Sequence, residues 1–281
     1  MLFSMTTNWD DLLKAEDKDF SLLSGALLIA KDEYPDLQIG SFFAKLQALF
    51  SPYLEGLPTE FNTPSLKLQS LIDYFFLELK FQGNQHDYYD LRNSFMNEVL
   101  ERRLGIPISL SILFLEMGRL IGLPLQGISF PGHFLIKCQL TQGMILIDVF
   151  EQGRRLGIKD LQNRLRSLSN GALLPPEMIM SMLTPASNRE IIARMLRNIK
   201  TTYREQKQWD KALTASCRII DLNPGWAEEY RHRAELYEAL ECFQLALDDY
   251  LHYLSIDANA EDVYLVRLKI SDLRSRIAKL N

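Results

Sequence analysis

Towards its C-terminal end the chain repeats itself at a spacing of 34 residues: Tyr203 matches Tyr237, Trp209 matches Phe243, Ala212 matches Ala246 and Leu213 matches Leu247. This is the tetratricopeptide period, in which each unit is a pair of helices that cannot bury its apolar face alone and must stack on a neighbour. The spacing predicts a first helix carrying Ile199 and Tyr203 and a second carrying Ala212, Leu213, Cys217 and Ile220. Small Ala212 lets adjacent helices approach closely. The run Asp221-Leu222-Asn223-Pro224 closes the first unit, since proline has no backbone N–H with which to continue a helix. Two units leave one face bare, so the periodic stretch Asp262 to Leu280, with Val263, Val266, Leu268, Ile270, Leu273 and Ile277, is expected to be a capping helix. The repeat module is placed at 188–281, leaving 1–187 for a separate domain with its own core.

The remaining length and a hydrophobic content of 47% are sufficient for that second core. A net charge of −5, with no basic stripe, lacks the footprint that binding a phosphate backbone requires, and nucleic acid is not an expected partner. Met1 to Phe20 carries Asp10, Asp11, Glu16, Asp17 and Asp19 and has no basic start followed by an apolar run, so no secretory signal is read there. The apolar stretch Ile106 to Leu125 is interrupted by Glu116, Arg119, Gly122 and Pro124, which is wrong for a membrane span. A cytoplasmic protein is expected. Cys138, Cys217 and Cys242 are odd in number and widely spaced, which reads as reduced thiols rather than a disulfide framework or a zinc site. No cofactor and no metal are expected; His86-Asp87 would join His133 and Asp148 around an ion only if their loop folded over the sheet, and nothing in the spacing demands that.

In the first domain, Leu22 to Ala30 and Phe42 to Phe50 show helical periodicity on either side of Tyr34-Pro35, and a third helix is expected over Leu66 to Phe81. After Gly105-Ile106-Pro107 a strongly amphipathic helix is predicted, with a buried stripe of Leu110, Leu113, Phe114, Met117, Leu120 and Ile121, ended by Gly122 and Pro124. Short runs then follow at Gln126 to Phe130, His133 to Cys138 and Met144 to Phe150, which read as strands of a small antiparallel sheet. With a loop of Gln139 to Gln142, Cys138 pairs with Gly143, and the same register sets His133 opposite Asp148, close enough for a hydrogen bond. The fold class is therefore α+β, followed by an all-α repeat module.

These residues resemble the SirB-type bacterial proteins, which join a transglutaminase-like (papain-like) domain to tetratricopeptide repeats. The resemblance is carried by Ala26-Leu27-Leu28-Ile29-Ala30-Lys31-Asp32-Glu33-Tyr34-Pro35, Phe81-Gln82-Gly83-Asn84, Asn93-Ser94-Phe95, Gly105-Ile106-Pro107-Ile108-Ser109-Leu110, Pro131-Gly132-His133-Phe134-Leu135 and Ile147-Asp148. Active members of the wider superfamily use a cysteine at the head of a helix, a histidine that accepts its proton and an aspartate that orients the imidazole. Their pattern, Gly-x-Cys-x-x-x-Ala, falls here on Gly105, Pro107 and Ser111, so the resemblance implies that proline stands in the nucleophile's place. Cys138 lies on the histidine's own strand but five residues along, on the other face, and Cys217 and Cys242 belong to the repeats.

The candidate site residues are thus His133, Asp148 and Ser109, with Asn93, Arg102 and Pro107 as further candidates for binding. Ser109 sits near a helix start, where it can act as a nucleophile beside free amides or simply satisfy one of them as a cap. The Arg102-Arg103 pair can hold an anion, although Glu98 and Glu101 make local salt bridges the expected state. Three functions follow from different classes. The first is a non-catalytic interaction or adaptor protein whose degenerate cleft and repeats hold a protein or peptide. The second is a hydrolase or acyltransferase using Ser109, His133 and Asp148. The third is a structural scaffold whose repeats pack on their own N-terminal domain.

Overall fold

A computed structural model describes residues 5–58, 63–141, 143–166 and 171–280, so Met1, Gln142 and Asn281, which figure in the expectations above, lie outside the described residues. The chain divides into two compact units, Met1–Met195 and Leu196–Asn281.

The first unit opens with helices α1 (Trp9–Lys14), α2 (Leu22–Glu33), α3 (Ile39–Gly56) and α4 (Pro64–Asp73). Local chemistry sets their starts: the Ser21 hydroxyl accepts from the Ser24 amide, and Thr63 accepts from Leu66 with Pro64 in the first helical position. The helix expected over Leu66 to Phe81 starts earlier and changes character at Tyr74–Glu78, a π-helical turn that drives Phe75 and Phe76 inward. Next come strand β1 (Gln82–Gly83), helix α5 (Met96–Arg102), strand β2 (Leu104–Gly105) and helix α6 (Pro107–Leu120).

Helix α6 is buried on nearly every side rather than along one stripe. Ile108, Ser109, Ser111, Ile112 and Glu116 join the expected Leu110, Leu113, Phe114 and Met117, whereas Leu120 is only half-buried. A helix apolar all round is a central helix, and this one is packed on by the sheet, by α2 and by the Phe75 and Phe76 rings, which meet Phe114 at centroid distances of 5.4 and 6.3 Å. Gly122, at φ +71°, turns the chain out of it.

A four-stranded antiparallel sheet follows in the order β3 (Leu125–Ile128), β4 (Leu135–Leu140), β5 (Gly143–Asp148), β6 (Arg154–Leu156). The register corrects the sequence expectation: Cys138 pairs with Ile145 and Gly143 pairs with Leu140. The paired strands therefore reach Leu140 and Gly143, two residues nearer the loop than expected, and Asp148 comes beside Leu135 while His133 falls in the turn before β4. The slip is two residues, and because the side-chain period of a strand is also two, His133 and Asp148 keep a common face. Helices α7 (Ile158–Arg166) and α8 (Pro176–Ser181) cover part of the sheet, with Leu161, Leu165 and Ile179 packed against Ile128, Leu135 and Leu146.

The second unit is built from α9 (Asn188–Glu205), which begins in the first, then α10 (Trp209–Leu222), α11 (Ala227–Ala239), α12 (Phe243–Ile256) and α13 (Val263–Leu280). Helix α12 repeats α10 end for end at the 34-residue offset, and its Tyr250 and Ala246 sit in one core with Ala234 of α11 and Val266, Ile270 and Leu273 of α13. Leu268, one of the periodic apolar residues of the expected capping helix, is exposed.

Candidate functional site

Helix α5 ends at Arg103, whose left-handed backbone (φ 59°) turns the chain into β2, and β2 pairs in parallel with β1. Gly105 is required here, because a Cβ on it would sit 2.7 Å from the Ser109 hydroxyl and 2.9 Å from Leu110 Cγ. Pro107 then opens α6 at its first position, where a missing N–H costs nothing. The Ser109 hydroxyl accepts from the Ile106 amide at 3.0 Å and donates to the Asn93 carbonyl at 2.6 Å, with the Ile106 carbonyl 3.1 Å away. Its one proton is directed at main-chain oxygen, not at an imidazole.

Asn93 is fully buried and works in the same joint. Its side-chain N–H donates to the Asp87 carbonyl at 2.7 Å, and its amide oxygen accepts from Asn84 at 3.1 Å, so it ties the 84–88 loop to the head of α6. Arg102 pairs with neither Glu98 nor Glu101; it reaches Asp90 at 3.3 Å, while Glu101 pairs with Lys45 at 2.8 Å. The fold presents a carboxylate from the short turn at Leu91–Asn93, a contact that helical spacing alone does not contain.

His133 and Asp148 do meet: Nε2 stands 2.9 Å from Asp148 Oδ2. The carboxylate is fully buried at the end of β5, and its other oxygen accepts the amides of Phe150 at 2.9 Å and Glu151 at 3.2 Å. A residue that sequence reasoning missed completes the group. Arg164, on α7, donates to Asp148 Oδ2 at 2.6 Å and to Glu151 at 2.8 Å. Burial alone raises the Asp148 carboxyl, but the hydrogen bond and charge of His133 and the Arg164 guanidinium outweigh it and hold the group below the usual carboxylate range. Arg194 fastens the His133 turn from the other side, donating to the carbonyls of His133 at 2.6 Å and Phe130 at 3.1 Å, and the Phe150 ring stands edge-on to the imidazole.

The six candidates therefore separate. His133 and Asp148 form one cluster with Arg164 and Glu151; Ser109 and Asn93 form a hydrogen-bonded helix joint with Pro107 at its head; Arg102 belongs to an ion pair with Asp90. Asn93, Ser109 and Asp148 offer no exposed surface to a ligand. Nearby lies a cavity of about 510 Å³ lined by Gln82, Asn84, Gln85, His86, Phe150 and Glu151 among others, so His86 faces open space beside amide side chains. Among the described residues no group of three or more His, Cys, Asp or Glu side chains is placed to hold a metal ion, and no helix is long and apolar enough to cross a membrane. Cys138 is buried, which pushes its thiol up, away from the thiolate form that attacks carbonyls.

Comparison with known proteins places this geometry. Residues 41–197 match the transglutaminase-like superfamily, and residues 199–270 match a tetratricopeptide repeat. A UPF0162 protein of Xylella fastidiosa is 37% identical over 265 residues, covering 94% of both chains, and a UPF0162 protein of Vibrio cholerae is 29% identical over 267 residues, covering 93% of this chain and 97% of that one. Human F-box only protein 21 is similar over a shorter stretch, 40% identical across 111 residues, 37% of this chain and 18% of that protein.

Proposed function

Since the chain belongs to the transglutaminase-like superfamily, as a SirB-type protein of the UPF0162 group with tetratricopeptide repeats at its C-terminal end, we propose that it is a non-catalytic interaction protein of the cytoplasm. In this reading the ancestral acyl-transfer site is retained as a structural joint, and the repeats, placed at 188–281, hold a protein or peptide partner. The observation that carries it is the head of α6: Pro107, which the resemblance aligns with the nucleophile, opens the helix, and the Ser109 hydroxyl two residues on spends its proton on the Asn93 carbonyl. An acyl transfer needs a nucleophile within hydrogen-bond reach of its base, and among the described residues His133 has Asp148 but no such group in contact. Arg164 also changes what Asp148 can do, because a carboxylate already paired with a guanidinium is a weaker stabiliser of an imidazolium.

Labelling with a fluorophosphonate tests this directly. The full-length protein is expected to remain unlabelled at Ser109 at concentrations that label a serine hydrolase completely; labelling lost in both Ser109→Ala and His133→Ala sinks the proposal in favour of a hydrolase or acyltransferase.

A further inference from the structure

The repeat offset lets each helix be compared with its counterpart 34 residues earlier, and the comparison isolates one face of the second unit. Leu222 is 4% exposed, whereas its counterpart Ile256 is 41% exposed; Tyr230 is 8% exposed and Tyr264 72%; Ala234 is fully buried and Leu268 is 51% exposed. The cause is visible in the earlier repeat. Tyr230 packs on His252 of α12 with ring centroids 4.3 Å apart, and Ala234 shares a core with Ala246, Leu247 and Tyr250 of the same helix. Helix α13 presents the equivalent positions, with Leu265 beside them at 61% exposure, and no helix covers them among the described residues. A terminal repeat helix ordinarily shows a polar outer face, so an aromatic and two leucines there call for an occupant.

Charge says which kind. In the earlier repeat Arg233 of α11 grips Asp249 of α12 through two bonds of 2.7 and 2.8 Å. The counterpart of Arg233 is Arg267, exposed on α13 three residues after Tyr264 and directly before Leu268, so that it edges their stripe, and Arg274 lies two turns further along the same edge. A second copy of this chain would bring like charges together across a two-fold contact. We propose that the face formed by Ile256, Tyr264, Leu265 and Leu268, with Arg267 at its edge, takes an acidic amphipathic helix from a partner protein, seated on α13 as α12 is seated on α11. The inference rests on reading the repeats as an interaction module, and it fixes the partner's chemistry: an apolar stripe with a small residue where Ala246 stands, and a carboxylate where Asp249 stands.

The probe is a fluorescent peptide with the sequence of α12, Phe243 to Ile256, stapled on its outer face to hold it helical, and the readout is anisotropy against the full-length protein. It should bind, whereas a scrambled peptide of the same composition should not. Leu268→Asp and, separately, Tyr264→Ser should weaken binding by about tenfold or more, with unchanged circular dichroism melting, and Leu77→Asp, an exposed leucine in the first unit, should change nothing. Arg267→Glu should weaken the peptide and be rescued by a peptide carrying lysine in place of Asp249. The proposal is overturned if the peptide binds no better than its scrambled control, if Arg267→Glu is silent, or if sedimentation shows a dimer that Leu268→Asp dissociates. Binding here is read independently of any turnover at His133, so this inference and the non-catalytic reading fail separately.

Discussion

Two buried carboxylates, one in each unit, show how similar surroundings arise by different routes. Asp148 ends a strand and gathers His133, Arg164 and two main-chain amides from three places in the chain. Glu229 lies in the first turn of α11 and gathers Lys200 at 2.5 Å, Arg197 at 2.7 Å and, more distantly at 3.8 Å, His232. Burial opposes the charge of Glu229, but the nearby His232 and the charge and hydrogen bonds of Lys200 and Arg197 hold its carboxyl far below the ordinary range. Both acids thus stand beside a histidine and an arginine. The second of them lies in a tetratricopeptide repeat, so an acid–histidine contact with a depressed carboxyl is not by itself a catalytic signature; what distinguishes a catalytic pair is a nucleophile on the far side of the imidazole.

The comparison breaks most visibly if the two acids respond differently to neutralisation. Glu229→Gln leaves the buried Lys200 uncompensated and is expected to cost about 3–5 kcal/mol in urea unfolding, and Asp148→Asn a loss of the same order, since breaking one side of a buried pair strands the other charge. Replacing Lys200 and Glu229 together with Met and Leu should recover most of that loss, because Arg197, nearly half exposed, can turn to solvent. A Glu229→Gln cost below about 1 kcal/mol would mean that the cluster is effectively a surface pair.

Acid sharpens the same comparison. A carboxyl whose folded pKa lies below its unfolded value binds fewer protons when folded, so both Asp148 and Glu229 add stability above the unfolded carboxylate range and lose it as pH falls through their folded values. The thermal midpoint should therefore drop progressively below about pH 5, with a shallower slope in Asp148→Asn and in Glu229→Gln; slopes that match the wild type would contradict the assigned shifts. Smaller effects separate the joint at α6 from the cluster at β5. Ser109→Ala should cost about 1–2 kcal/mol by leaving the Ile106 amide and the Asn93 carbonyl with only their long 3.4 Å bond to each other, whereas His133→Ala should cost under about 1 kcal/mol, since Arg164 and two amides still satisfy Asp148.

Much of the architecture is legible in the residues because it rests on local periodicity. The 34-residue offset is repeated in the helix boundaries, and Gly122 and Pro107 bound α6 as their backbone chemistry demands. What local pattern cannot supply is the distant partner. Arg164 lies sixteen residues beyond Asp148 on a helix whose only visible signal is the apolar pair Leu161 and Leu165. The two-residue strands β1 and β2 are too short to show a period, and the hairpin register slipped by two residues because alternation fixes parity and not the turn length. His133 and Asp148 survived that slip for the same reason. The periodicity of α6 shows a stripe rather than burial on all sides because Ser109, Ser111 and Glu116 read as polar positions until their surroundings are known.

The central claim, that the His133–Asp148 pair has no nucleophile to serve, is tested most directly by incubating the purified full-length protein with amide, isopeptide and ester substrates under single-turnover conditions and following product by mass spectrometry. The account predicts no product above buffer and no covalent adduct. Turnover that disappears in His133→Ala and in a second side-chain variant near the head of α6 would contradict it.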